Sequence, residues 1–328
     1  MHLPIRSFLA VAYLCGHAPF AWSGPEQRSD ENDTTLAVSG ELKLEYFDKK
    51  TADRTGKIGK DSDFLVDEAV LALNGKFSAF PEVTLILATE KINTSEFEPV
   101  FVKELFLTHH FNSNYKLIAG RIVLPFGNFK TATVTDPQTK KIGKAKTDAG
   151  LGVKGKNEAA RLEWNVVAFA DDYRTPGPGA DGVTANLSWN ATNTWMIGAG
   201  VISSQYARTH SPALANIHIG ARDGVWKLTG EYIAALDNNG GEKPKALSVD
   251  GVVDLTSRIK LGARVQTAVR RFATDGPRLK YNEWALAFKY APSQYVTMGV
   301  EYLAGKQRDG SVEIEKTGKI TAQVVLTF

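Results

Sequence analysis

The sequence predicts an all-β protein, a transmembrane antiparallel up-and-down β-barrel of about sixteen strands. Three observations carry this. Apolar and polar residues alternate at period two in sixteen runs between residues 36 and 328. The segments between the runs alternate between long polar stretches and short turns. After residue 23 no apolar run approaches the ~18 residues of a helical span. A chain of 328 residues suits one large barrel or two soluble domains. With 23% charged residues and a net charge of +3, it does not have the bulk positive charge of a nucleic-acid binder.

Residues 1–23 read as a secretory signal peptide. Arg6 charges the first segment, Phe8 to Cys15 form a short apolar core, and Ala21-Trp22-Ser23 is a small-x-small cleavage site. Cys15 is the only cysteine and leaves with the signal, so the exported chain has to be held by its sheet rather than by disulfides. Residues 24–35 are a polar, unpatterned lead-in expected to be disordered. They are too few to form a plug, which argues against an energy-coupled receptor with a plugged 22-strand barrel.

The barrel occupies residues 36–328. In the first run Leu36, Val38, Gly40, Leu42, Leu44 and Tyr46 make one face, and Ala37, Ser39, Glu41, Lys43 and Glu45 the other. Further runs follow at 64–76, 83–91, 101–111, 115–124, 148–155, 161–170, 183–190, 194–203, 214–222, 225–235, 246–255, 259–270, 281–291, 295–304 and 319–328. Two resist a single phase: 64–76 puts Asp67 or Glu68 on an apolar face, and 115–124 reads either way.

The connections separate a membrane barrel from a soluble sandwich. Segments 48–63, 92–100, 125–147, 171–182, 204–213, 236–245, 271–280 and 305–318 are long, and those between them are tight turns such as Asp223-Gly224. Short turns at one end and long loops at the other are the pattern of an outer-membrane barrel. Aromatic residues near the strand ends (Tyr46, Phe111, Tyr115, Trp189, Trp195, Trp226, Tyr290, Tyr295 and Tyr302) suit girdles at the two water interfaces. The last run ends on Phe328, which resembles the signal read by the barrel-insertion machinery. A sixteen-strand barrel is wide enough for a water-filled lumen.

The longest connection is the third external loop, 125–147. Pro125 cannot donate to the ladder and ends its strand. Gly127 permits a sharp bend. From Arg121 to Arg161 there are nine Lys/Arg against three acids. Folded into the lumen, the loop is a basic constriction. Standing outside, it faces lipopolysaccharide phosphates. The candidate pore residues here are Arg121, Lys130, Lys140, Lys141, Lys144, Lys146 and Lys154. Elsewhere, Glu68, Glu90 and Glu104 are expected on one wall, and Lys227, Lys260, Arg264 and Arg270 on another. Charges so divided set ion preference by their local field, whereas charges that are merely solvated do not.

Motifs of enzymes and cofactor sites do not hold up. Gly150-Leu151-Gly152-Val153-Lys154-Gly155 has dinucleotide-loop spacing but lies between runs of strand character, without the helix that motif needs. His109 and His110 point to opposite faces of a strand and cannot share a metal. No catalytic, cofactor or metal residues are therefore predicted, and no enzyme.

Three stretches together resemble the LbtU-type siderophore porin family. They are Val66-Asp67-Glu68-Ala69-Val70-Leu71-Ala72-Leu73, then Gly120-Arg121-x-x-Leu124-Pro125-Phe126-Gly127-Asn128-Phe129, then Thr135-Asp136-Pro137-Gln138-Thr139-x-x-Ile142-Gly143. The likeness covers about residues 64–155, and the chain departs from it in its lysine-rich loop, where relatives are more acidic. The resemblance implies passive uptake of a small anionic solute, first a ferric carboxylate-type siderophore. General or phosphate-type anion-selective porins are the alternative, followed by a structural or adhesin barrel and an outer-membrane hydrolase. Expected partners are outer-membrane lipid and lipopolysaccharide, the solute, the insertion machinery at Phe328, and further copies in a homotrimer. Nucleic acid is not expected.

Overall fold

The computed structural model describes residues 34–77, 80–92, 100–170, 182–203, 212–236, 243–271 and 278–328. The predicted signal peptide and nearly all of the lead-in lie outside them.

Sixteen strands form one closed barrel in which each pairs antiparallel with its neighbour in sequence and the last returns to the first. They are β1 (Thr35–Asp53), β2 (Ile58–Phe77), β3 (Phe80–Ile92), β4 (Phe101–His110), β5 (Tyr115–Val123), β6 (Lys146–Asn157), β7 (Leu162–Ala170) and β8 (Gly182–Trp189). The second half is β9 (Trp195–Ile202), β10 (Leu214–Asp223), β11 (Trp226–Ala235), β12 (Lys245–Asp254), β13 (Ile259–Arg271), β14 (Arg278–Ser293), β15 (Val296–Asp309) and β16 (Val312–Thr327). Each predicted run falls on one of these strands. The seam is closed by Gly40 and Phe328, whose amides and carbonyls exchange hydrogen bonds of 2.9 and 3.1 Å.

Two predicted long loops are not loops. Segment 48–63 continues β1 and β2 upward to a turn at 54–57, and 305–318 continues β15 and β16 to a turn at Gly310-Ser311. These residues are polar on both faces because both faces meet water. Alternation therefore vanishes although the ladder continues, as in Lys50 opposite Lys60 and Gly318. The first tip is ordered by Asp53, whose carboxylate accepts Thr55 Oγ1 at 2.6 Å, Thr55 N at 2.8 Å and Lys57 N at 3.0 Å. Those bonds hold its carboxyl below the ordinary aspartate range.

The two ambiguous runs both lie at bulges, each of which inserts a residue into one strand of a pair. On β2 the register passes from Glu68 opposite Lys43 to Val66 opposite Leu44, leaving Asp67 as the extra residue. On β5 the shift lies between Gly120 and Ile122, and Gly120 adopts φ +135°. The β2 run is thus in one phase before the bulge and the other after it. Along β5 two steps match three on β6, from Gly150 to Thr147, so the extra residue is on β6 and β5 keeps one phase, with Ile118, Ile122 and Leu124 all buried on the inner side.

The outward face is apolar. Tyr232, Val249, Val265, Trp284 and Val300 are exposed on it, and Phe111, Tyr115, Trp189, Trp195, Trp226 and Tyr295 cluster at the short-turn end. In water this much exposed apolar surface would be a liability; against lipid it is the required surface. The glycine-rich motif lies within β6. There Gly155 is covered by the Trp164 ring and Gly152 packs against Val167, so the glycines serve close side-chain approach across the sheet.

A methyl group on Gly120 would meet the Leu105 carbonyl oxygen at 2.3 Å at a backbone angle L residues rarely adopt. Gly120→Ala is expected to destabilise the barrel by about 2 kcal/mol or more, read as a lower urea midpoint in detergent micelles.

Candidate constriction site

The connection between β5 and β6 folds into the barrel. Its neck is closed by Leu124 N donating to Ala145 O at 3.0 Å. Pro125 breaks the ladder, and Gly127 (φ 78°) and Phe129 (φ 46°) turn the chain sharply. This leaves the consecutive amides of Asn128 and Phe129 aimed the same way, an anion-binding nest. The Glu231 carboxylate of β11 fills it, at 2.7 and 3.1 Å.

The same device repeats along the wall. Asp250 on β12 accepts Ala132 N at 3.1 Å and Thr131 Oγ1 at 3.0 Å. Glu301 on β15 accepts Val134 N at 2.7 Å, Thr135 N at 3.1 Å and Thr135 Oγ1 at 2.6 Å. Cations hold the carbonyl side: Lys289 donates to Thr133 O at 2.9 Å, and Arg264 to Thr135 O at 2.6 Å. The loop then turns back through a short helix, α1 (Gln138–Gly143). Gln138 N donates to Gln266 at 2.8 Å, and its side-chain amide to Glu283 at 2.9 Å. The anchoring residues alternate along their strands with Tyr232, Val249, Val265 and Val300, which face the lipid, so the loop lies on the lumen side.

Apolar packing completes the attachment. Leu124, Phe126, Ile142 and Ala145 are buried with Ile202, Leu214, Ile233, Ala246 and Ala268 of the inner wall. The Phe129 ring lies against Gly127 and Gly143, where a Cβ would come within 2.3 and 2.8 Å of it. Ala132 sits so close to Gly262 that a side chain there would meet its carbonyl at 2.3 Å.

The loop thus covers the inner face of β8 to β15, and the passage left open is bounded on its other side by β1 to β4 and β16. On that side Lys43 bridges Glu41 at 2.8 Å and Glu68 at 2.6 Å, Lys103 also bonds Glu68, and Lys319 meets Glu45 at 3.3 Å. Asp136, on the loop, lies within electrostatic reach of Asp67.

The predicted pore residues divide accordingly. Lys130 and Lys141 are exposed on the loop, Lys144 is half-buried, and Lys140 is paired to Asp136 at 2.5 Å. Lys146 begins β6 opposite Val123, its side chain lying outside the described set. Lys154 stands opposite Lys116, near Glu104. Arg121 is half-buried beside the Gly120 bulge, Glu90 faces Glu68 across the ladder, and Glu104 accepts Val123 N at 3.4 Å. Lys227 and Lys260 both approach Asp254, at 3.3 and 3.7 Å, towards the short-turn end. Arg270 is half-buried on β13. Arg264 is 1% exposed and holds the loop instead of lining water.

The expected division into an acid wall and a basic wall is not found. The basic strands β11 to β14 also carry Glu231, Asp250, Asp254 and Glu283, and among the acid strands β4 carries Lys103, which bonds Glu68 together with Lys43 of neighbouring β1. The anchoring acids went unrecognised because each looks like any lumen charge. Their one distinguishing sign was an isolated acid at mid-strand on an inward-facing position. Among the described residues no group of three or more His, Cys, Asp or Glu could hold a metal.

No family model matches the chain. No curated protein matches it either. Solved structures do. The outer-membrane channel DcaP of Acinetobacter baumannii is 14% identical with a TM-score of 0.67, over 90% of this chain and 97% of that one. The anion-selective porin from Comamonas acidovorans is 12% identical with a TM-score of 0.65, over 90% and 100%. Salmonella typhi OmpF, in complex with daunomycin, is 10% identical with a TM-score of 0.65, over 90% and 98%. At these identities the likeness is one of fold, that of outer-membrane porins, and the narrower siderophore-porin resemblance rests on sequence alone.

Glu231→Gln and Glu301→Gln should each lower stability by roughly 2 kcal/mol, since hydrogen bonds to charged groups contribute ~1.5–3 kcal/mol. The double variant is expected to expose the loop to trypsin after Lys130, giving a new fragment pair on a denaturing gel that the native barrel does not give.

Proposed function

We propose that the protein is a passive channel of the bacterial outer membrane for small hydrophilic solutes, with a preference for anions. The barrel lies in the outer membrane with its short turns towards the periplasm. The observation that carries the proposal is the inward loop and the way it is held. Glu231, Asp250 and Glu301 are buried beneath it, their charge compensated by loop amides, while Lys130 and Lys141 stay exposed. The loop covers three acids of the wall along with the cations Arg264 and Lys289, and presents Lys130 and Lys141 to the passage, with Asp136 answered by Lys140. A narrow, low-dielectric passage magnifies such a difference in field.

A ferric carboxylate-type siderophore is the second reading. One observation favours it: two of the three stretches form the start of the inward loop and its helix α1, and the third lies on β2, on the wall across the passage. The same observation also limits it, because Phe126, Gln138, Thr139 and Ile142 are buried and serve the loop's packing. Assembly as a homotrimer belongs to this proposal as well.

Reconstitution into planar bilayers should give discrete conductance steps; a bilayer that stays sealed under all voltages overturns the channel. In a salt gradient the reversal potential is expected on the anion side. Replacing Lys130, Lys140, Lys141 and Lys144 together by Gln should move it towards the cation side at unchanged barrel stability. Growth under iron limitation separates the two solutes: a deletion strain that still uses a ferric carboxylate siderophore at the wild-type rate removes the second reading.

A further inference from the structure

On the lipid-facing side of β12 to β15, where neither the loop nor the passage reaches, lies a groove of ≈ 400 Å³. Leu247, Val249, Val265, Trp284 and Ala304 line it, and Lys306 stands at its edge. The ladder fixes what lies above. One cross-strand row reads Val249, Val265, Trp284 and Ala304, the apolar floor. The next row towards the long-loop end reads Leu247, Thr267, Asn282, Lys306 and Lys316. The row beyond reads Lys245, Val269, Lys280, Arg308 and Glu313. All face outward, and Lys245, Lys280, Lys306 and Lys316 are exposed. Among the described residues one acid answers them: Glu313 approaches Lys306 at 3.3 Å and Lys316 at 3.1 Å.

Four lysines around the top of an apolar, lipid-facing groove are poorly explained by folding. They are not needed to close the ladder, and together they repel one another. Side chains in adjacent rows of neighbouring strands lie within about 8 Å. Long lysine stems can converge on one anion while their methylenes stay against the apolar surface. At this height the phosphates of outer-leaflet headgroups are the available anions, and cations at a membrane surface attract them.

We propose that this face binds a phosphorylated, acylated glycolipid of the outer leaflet. One acyl chain lies in the groove against Trp284, and a phosphate is held between Lys280 and Lys306, flanked by Lys245 and Lys316. The inference rests on the charge complement and on the alignment of the groove beneath it, and is independent of which solute the channel passes.

The test titrates the purified full-length barrel in detergent micelles with bis-phosphorylated lipid A, reading bound lipid by native mass spectrometry. The wild type should retain lipid A. K245Q/K280Q/K306Q should bind it at least tenfold more weakly, and dephosphorylated lipid A should bind the wild type as weakly. K306Q alone serves as a milder variant if the triple change fails to fold, and is expected to give a partial loss. Unchanged affinity in a folded variant overturns the proposal. So does displacement of the lipid by millimolar inorganic phosphate, which would mark a free-anion site. Loss of self-association with lipid binding intact would assign the face to a second copy of the chain and likewise overturn it.

Discussion

A peptide segment inside a barrel must satisfy its own backbone, and that constraint organises this molecule. The loop between β5 and β6 has left the sheet, so its amides no longer have carbonyl partners across a ladder. Water could serve them, but then nothing would fix the loop's position. Here Glu231, Asp250 and Glu301 serve them, two donors or more to each carboxylate, with Gln266 taking the amide of Gln138. Each bond joins a residue of the loop to one more than a hundred positions away. The path of the loop across the wall is therefore fixed by where those acids stand along it.

The barrel was legible because its rule is simple. A strand between lipid and lumen must alternate, and most of the sixteen do so plainly enough to be counted. The rule fails where its cause is absent. Above the bilayer β1, β2, β15 and β16 have water on both sides, so the alternation fades and the strands look like loops. It also fails at Asp67, where a bulge exchanges the faces within β2. On β5 the phase holds through Gly120, but the inward residues Ile118 and Ile122 are apolar because the loop packs over them, so the run reads either way.

The site was legible in outline only. Pro125 and Gly127 announced a bend, and the lysines announced a basic segment, but the direction of the bend depends on residues in distant strands. Ile202, Leu214, Ile233, Ala246 and Ala268 carry that information. In the sequence they look like wall residues of a water-filled lumen in the wrong phase, whereas in the structure they receive Leu124, Phe126 and Ile142. An apolar patch on the inner face of a wide barrel is the physical sign of an occupant. Similarly, Arg264 reads as a pore charge until its burial and its bonds to Thr131 and Thr135 are seen.

The tall hairpins at the seam have a consequence of a different kind. β1 and β2 run for 19 and 20 residues, while β8 and β9 run for 8 each. The wall beside the open passage therefore rises far above the bilayer, and it is held up by hydrogen-bonded ladder to the turn that Asp53 ties together. Among the described residues, the tallest part of the wall on the long-loop side is an ordered, highly charged blade. It stands between a large particle that arrives along that wall and the passage beneath it.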